Sequence, residues 1–205
     1  MAITNGYSTL AQVKAALRIT DSVDDSLLEM AVESASRAID QYTNRIFYNA
    51  GTAVRYYAPI DSLNVQIDDL VSLISLETMD DDDQVYDTTW GADDYQLEPL
   101  NGYADGIPQP FNHIRAVGDY TFLTTYSNFI AASGEATVKV TGVWGWSAVP
   151  IQVTQATVIQ ASRIYKRLDS PLGIISGELG SMRIGSRLDP DVAQLVDSLR
   201  IIRMA

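Results

Sequence analysis

Cysteine is absent from all 205 residues, so the chain has no disulfide, no thiolate metal site and no cysteine nucleophile. Basic charge is scarce: 14 Lys and Arg face 26 Asp and Glu, a formal net charge of −12. That balance argues against gripping DNA or RNA, whose affinity comes largely from Lys and Arg displacing counterions. It leaves room for a wall past which DNA slides. The opening Met1-Ala-Ile-Thr-Asn-Gly6 lacks a basic n-region and an apolar run, so no signal peptide is expected. No stretch approaches the roughly 20 apolar residues that span a bilayer, and a soluble protein is expected.

Phosphate-binding and nucleophile motifs are missing too. No Gly-Lys pair occurs, which removes the P-loop, and neither the dinucleotide glycine fingerprint nor a Gly-x-Ser-x-Gly elbow is present. His113 is the only histidine. It has no sequence-evident Ser, Cys or Asp arrangement around it, and a hydrogen-bonding role in a loop is the expectation. The run Asp80-Asp81-Asp82-Asp83 invites a calcium reading, but an EF-hand loop begun there needs Gly where Val85 stands and Glu where Gly91 stands. A solvated hairpin tip between Leu76 and Tyr86 is expected instead. Asp68-Asp69 and Asp93-Asp94 are adjacent, so on strands they face opposite sides. No catalytic, metal or cofactor site is expected.

What is present has a globular balance, 46% apolar and 20% charged. The first forty residues read as two helices. Thr9 and Gln12 form a capping-box pattern before Leu10, Val13 and Leu17. Ser22 with Asp25 signals the next start, and Leu27, Leu28, Ala31, Ala35, Ala38, Ile39 and Tyr42 recur at steps of three and four. From about Val54 to Trp146 the period shortens. The runs 54–57, 71–76, 95–97, 114–117 and 137–140 are β-rich and separated by Gly, Pro, Asn and Asp, as in a small antiparallel sheet. Helical period returns after Pro150, which suits a first helical position, with Ile151, Val158, Ala161, Tyr165 and Leu168 on one face. Four glycines between Gly173 and Gly185 predict a flexible loop rather than a helix. A last helix starts at Asp189-Pro190-Asp191 and lines up Val192, Leu195, Val196 and Leu199. The expected fold is α+β: a short helical bundle (1–49 and 150–205) interrupted by a β-rich insertion (50–149).

Two stretches resemble a known family. Leu10-Ala-Gln-Val-Lys-Ala-Ala-Leu-Arg-Ile-Thr-Asp21 through Asp24-Asp-Ser-Leu-Leu-Glu29 and Ala35-Ser-Arg-Ala-Ile-Asp-Gln-Tyr-Thr43 is similar to the opening of bacteriophage head-tail connector proteins. Tyr95-Gln-Leu-Glu-Pro-Leu-Asn101, Val138-Lys-Val-Thr-Gly-Val-Trp-Gly-Trp146 and Ile164-Tyr-Lys-Arg-Leu-Asp-Ser-Pro-Leu-Gly173 resemble the longer, β-inserted head-to-tail adaptors of siphophages. The resemblance implies a structural virion protein of the neck, assembled in the host cytoplasm, with no cofactor. It implies a homo-oligomeric ring, typically twelvefold, under the portal protein; the ring extends the DNA channel and receives a stopper or tail-completion protein.

Two sets of residues are candidate sites on that reading. The C-terminal region is the candidate portal-docking element through Ile174, Ile175, Leu179, Met182, Arg183, Arg187, Leu195, Leu199 and Arg203: apolar residues on a glycine-rich backbone suit folding onto a partner, and arginines can pair with its carboxylates. On this expectation, removal of 174–205 leaves the rest folded. Asp24, Asp25 and Glu29 are candidate channel-facing acids, because like charge keeps the duplex from sticking. The alternative reading is a carbohydrate- or protein-binding module whose β-block presents Trp90, Trp144 and Trp146 as stacking surfaces.

Overall fold

The computed structural model describes residues 2–80, 85–104, 106–124, 135–168, 174–177, 180–183 and 188–201. It is α+β, with helices and an antiparallel sheet in two compact units: 1–47 with 149–205, and 48–148.

The first unit is helical. Thr9 caps α1 (Leu10–Leu17): the Gln12 amide donates to Thr9 Oγ1 at 3.2 Å and the Thr9 amide to Gln12 Oε1 at 2.7 Å, the reciprocal box expected. Arg18 closes the helix in the left-handed region at φ 60°. The next helix, α2 (Asp25–Thr43), starts later than the Ser22 signal suggests. Asp24 is its N-cap residue, and its carboxylate accepts the Tyr165 hydroxyl at 2.7 Å instead of a helix amide. The buried stripe of α2 is Leu28, Ala31, Val32, Ala35, Ser36, Ile39 and Thr43. Leu27, adjacent to Leu28 in the expected stripe, is exposed. Ser36 and Thr43 hide the true stripe from a hydrophobicity count: their hydroxyls donate to the Val32 and Ile39 carbonyls, both at 2.8 Å, which lets polar residues sit in the core.

Pro150 lies just before α3 (Ile151–Leu168), and its carbonyl accepts from the amides of Val153 and Thr154. This helix buries Val153, Ala156, Thr157, Gln160 and Ala161, with Val158, Ile164 and Tyr165 packed at the edge of the core formed by Val13, Leu28, Val32 and Ala161. Ile151 and Leu168 belong to the expected stripe but are exposed at the two ends of the helix. The last helix, α4 (Pro190–Val196), begins as expected, with Asp189 accepting from the Asp191 amide and Pro190 at the first position. A single 3₁₀ turn, Asp197–Leu199, continues it.

The second unit is built on an antiparallel sheet. Its strands are β1 (Asn49–Tyr57), β2 (Asn64–Thr78), β3 (Thr88–Thr89), β4 (Tyr95–Glu98), β7 (Phe111–Ala116) and β8 (Val138–Gly145), in the order β1-β8-β2-β7-β4 with β3 paired to β2. A two-residue ribbon, β5 (Tyr103–Ala104) with β6 (Ile107–Pro108), stands apart. Of the five expected β runs, 54–57, 71–76 and 95–97 fall within β1, β2 and β4, and 114–117 and 137–140 overlap β7 and β8, each overrunning by one residue. Alternation along β8 sends Val138, Val140, Gly142 and Trp144 to the core. Gly142 is required there, since a Cβ would lie 2.7 Å from the Ser72 carbonyl. Trp90 stacks on Phe122 with ring centres 4.6 Å apart in the same cluster. On β2 the register shifts between Leu73 and Ser75, leaving Ile74 as an extra residue turned to solvent.

Within the expected loop, two short stretches are described, 174–177 and 180–183. β9 (Ile174–Gly177) and β10 (Gly180–Arg183) form an antiparallel hairpin, with Gly177 opposite Gly180 and Ile174 opposite Arg183. The glycines disfavour helix, as the sequence reading expects.

Candidate functional site

The residues singled out for chemistry are structural where they are described. His113 lies on β7 rather than in a loop, its Nε2 paired with Asn64 Oδ1 on β2 at 3.0 Å. Asp68 accepts from Arg55 at 2.7 Å and from the Tyr57 hydroxyl at 3.0 Å, so the guanidinium offsets its charge and the phenol adds a hydrogen bond. Asp69, its buried neighbour, accepts the Trp146 indole N–H at 2.9 Å. Asp80 accepts from the Thr88 hydroxyl; Asp81, Asp82 and Asp83 lie outside the described residues. Among the described residues no three acidic or histidine side chains cluster as a metal site would require.

The tryptophan platform of the alternative reading does not exist. Trp90, Trp144 and Trp146 are all buried, and each indole N–H is spent inside the unit, on Thr78, the Ala53 carbonyl and Asp69. A ring with both faces packed cannot stack on a sugar.

The candidate channel acids sit where α1, α2 and α3 meet. Asp25 pairs with Lys14 at 2.6 Å, and Lys14 also donates to the Asp21 carbonyl. Asp24 holds the Tyr165 hydroxyl, and Glu29 is half-buried one turn on. Lys14 therefore offsets part of this acidic group's field, a compensation that counting carboxylates does not reveal.

The candidate docking residues separate into three groups. Ile174, Ile175, Met182 and Arg183 are on the hairpin strands. Leu179, Arg187 and Arg203 lie outside the described residues. Leu195 is half-buried beside a shallow hollow with Gln152, Gln194 and Ser198, but Leu199 is 2% exposed in its own unit. Leu199 is thus corrected from a docking residue to a core residue. The chain after α2 explains why: the Ile201 amide donates to the Thr43 carbonyl at 2.9 Å, Arg45 to the Leu199 carbonyl at 3.2 Å, and Tyr42 to Asp197 at 2.9 Å. The end of the chain is tied to the end of α2, so deleting 174–205 strips Val192, Val196 and Leu199 from the bundle instead of leaving it intact.

A second pinned segment is the strap before α1. Thr4 and Asn5 amides donate to Glu33, the Tyr7 amide to Ser36, and the Tyr7 hydroxyl to Asp40 at 2.5 Å. Burial pushes the Asp40 carboxyl up, against its bonds to Tyr7 and Arg37. The hollow beside the strap, about 390 Å³, is lined by Ile3, Gly6, Tyr7, Ser8 and Leu10 among others.

The surface features that sequence reading missed are apolar and open. Val23, Leu27 and Met30 are exposed at the start of α2, and Val54, Tyr56 and Ile74 on the sheet. A periodicity search assigns such residues to a core; only their position on the fold shows that they are free.

These features define a two-unit α+β module in which residues 4–7 and 197–201 are tied to α2 or the chain just after it and several apolar side chains are exposed. The family model for the phage gp6-like head-tail connector protein matches residues 7–114, and the chain belongs to that family. The resemblance drawn from residues 10–43 and 95–101 lies within that match. Two solved structures share the fold over the whole chain: the neck of an empty gene transfer agent particle computed with C6 symmetry (18% identity, TM-score 0.58, covering 95% of that chain), and the virion of a native gene transfer agent particle (20%, 0.55, 95%). No curated protein matches this sequence.

Proposed function

We propose that this protein is a head-to-tail adaptor: a non-enzymatic ring in the virion neck, seated under the portal, that extends the DNA channel and receives a stopper or tail-completion protein. The observation that carries the reading is the family match, joined to a fold shared along its full length with a chain of a particle neck. The acidic balance supports passage of DNA without adhesion. A twelvefold ring comes from the family resemblance alone.

Portal docking is proposed for the C-terminal region through Leu195 and the arginines Arg187 and Arg203, Leu199 being core. Channel-facing charge is proposed for Asp24, Asp25 and Glu29, the first two of which also hold Tyr165 and Lys14. Mass photometry of the purified chain mixed with its portal tests the main reading. A species carrying one ring of this chain per portal is expected. A portal that stays bare at every ratio of the two proteins contradicts it.

A further inference from the structure

Two backbone surfaces lack a partner among the described residues. The first is the outer edge of β1, which ends the sheet: it pairs with β8 on one side and with no described strand on the other. Natural sheets guard such edges with Lys, Pro, acids or brevity. β1 is nine residues long and has no Lys, Pro or acid; its one charged side chain, Arg55, is engaged by Asp68 and the Trp144 ring, its register shift is confined to Asn49–Gly51, and it runs in unbroken register from Thr52 to Tyr57. The opposite edge is guarded. β4 has four residues, ends in Glu98 and is followed by Pro99.

The second surface is the β9–β10 hairpin. Its strands pair only with each other, and a two-stranded hairpin is marginal in water without a third strand. Its two strands also carry no acid, in a chain with 26 of them. Copies of a protein at −12 repel one another over most of their surface. β1 and the two hairpin strands, which Glu178 separates, are acid-free stretches where that repulsion is reduced.

We propose that the β9–β10 hairpin of one copy adds to the β1 edge of the next, extending its sheet. This rests on the ring reading and names the contact that builds the ring. The occupant is a second copy because the two surfaces differ and both are on the same chain: a head-to-tail contact of this kind repeats from copy to copy, as a ring requires. Pairing of β1 with β1 would stop at two copies and leave every hairpin unpartnered.

The cysteine-free background makes the test direct. Ala53→Cys places a thiol on exposed β1, and Ser176→Cys places one on β9. Singly substituted chains of different tag length are mixed, assembled on the portal and treated with a flexible bis-maleimide. A covalent dimer holding one chain of each kind is expected, with none from either population alone. Rings visible by electron microscopy that yield no mixed dimer overturn the proposal and leave the ring reading standing. Dimers from Ala53→Cys chains alone also overturn it, by showing β1–β1 pairing. So does an internal link in a doubly substituted chain, by showing that the hairpin pairs with its own edge. Absence of any ring overturns the ring reading itself. Hydrogen exchange on the unsubstituted chain gives an independent readout: amides of 52–57 and 174–183 slow together on assembly, and unchanged exchange at β1 overturns the proposal.

Discussion

Leu27 and Leu28 are neighbours in sequence, identical in chemistry and opposite in burial, which makes them a sharp probe of the helical unit. Leu28 is fully buried among Val13, Ala31, Val32, Ala35 and Ala161, whereas Leu27 is 42% exposed. Truncating a buried leucine costs its transfer free energy plus a cavity term, together about 2–5 kcal/mol. Three of the five cluster partners are alanines, which cannot reach into the void, so Leu28→Ala belongs in the upper part of that range. Leu27→Ala leaves no cavity and should stay within about 0.5 kcal/mol of wild type. The assay is urea unfolding of the isolated chain followed by far-ultraviolet circular dichroism, which is dominated by helix. All three tryptophans are in the 48–148 unit, so their fluorescence reports the other unit separately. Equal losses at the two positions, or a larger loss at Leu27, would refute the assigned face of α2.

Gly145 sits at φ 98° with the Tyr48 carbonyl where a Cβ would be, so Gly145→Ala should cost well over 1 kcal/mol of β-unit stability in fluorescence-monitored unfolding. Asp69→Ala removes a buried acceptor of the Trp146 indole N–H and should cost about 1–3 kcal/mol by the same assay. The Lys139 ammonium beside Glu77 holds its carboxyl below the usual range. Its contribution is therefore present above the unfolded carboxylate pKa and lost as pH falls through the lower folded value. At about 0.2–1 kcal/mol, it should disappear from the acid limb of the stability profile in Glu77→Gln. Removing residues 189–205 should lower helical-unit stability measurably, since Val192, Val196 and Leu199 leave the core; an unchanged urea midpoint would show that α4 is only an appendage.

The helices were legible because their signals are local. The Thr9–Gln12 box and the Asp189-Pro190 start each act within one turn, and the structure has them as read. Faces were less legible. Ser36 and Thr43 are polar letters that satisfy themselves on the backbone, and Ile151 and Leu168 are apolar letters at helix ends with nothing beside them. The β runs were found from composition, but their order in the sheet depends on contacts such as Val54 opposite Thr141, far apart in sequence. No residue type announces the burial of Leu199 either: it follows from the tie between Thr43 and Ile201. Surfaces for partners were the least legible, because an open strand edge is a property of position and carries no motif.

The central claim is that copies of this chain form a ring on the portal. A single-particle reconstruction of the chain assembled with its portal tests it most directly. A closed ring at the portal's exposed end is predicted, with the C-terminal region against the portal and the channel continuous through both. A reconstruction in which the chain binds as isolated copies on the portal's outer flank, leaving the channel mouth uncovered, would contradict it.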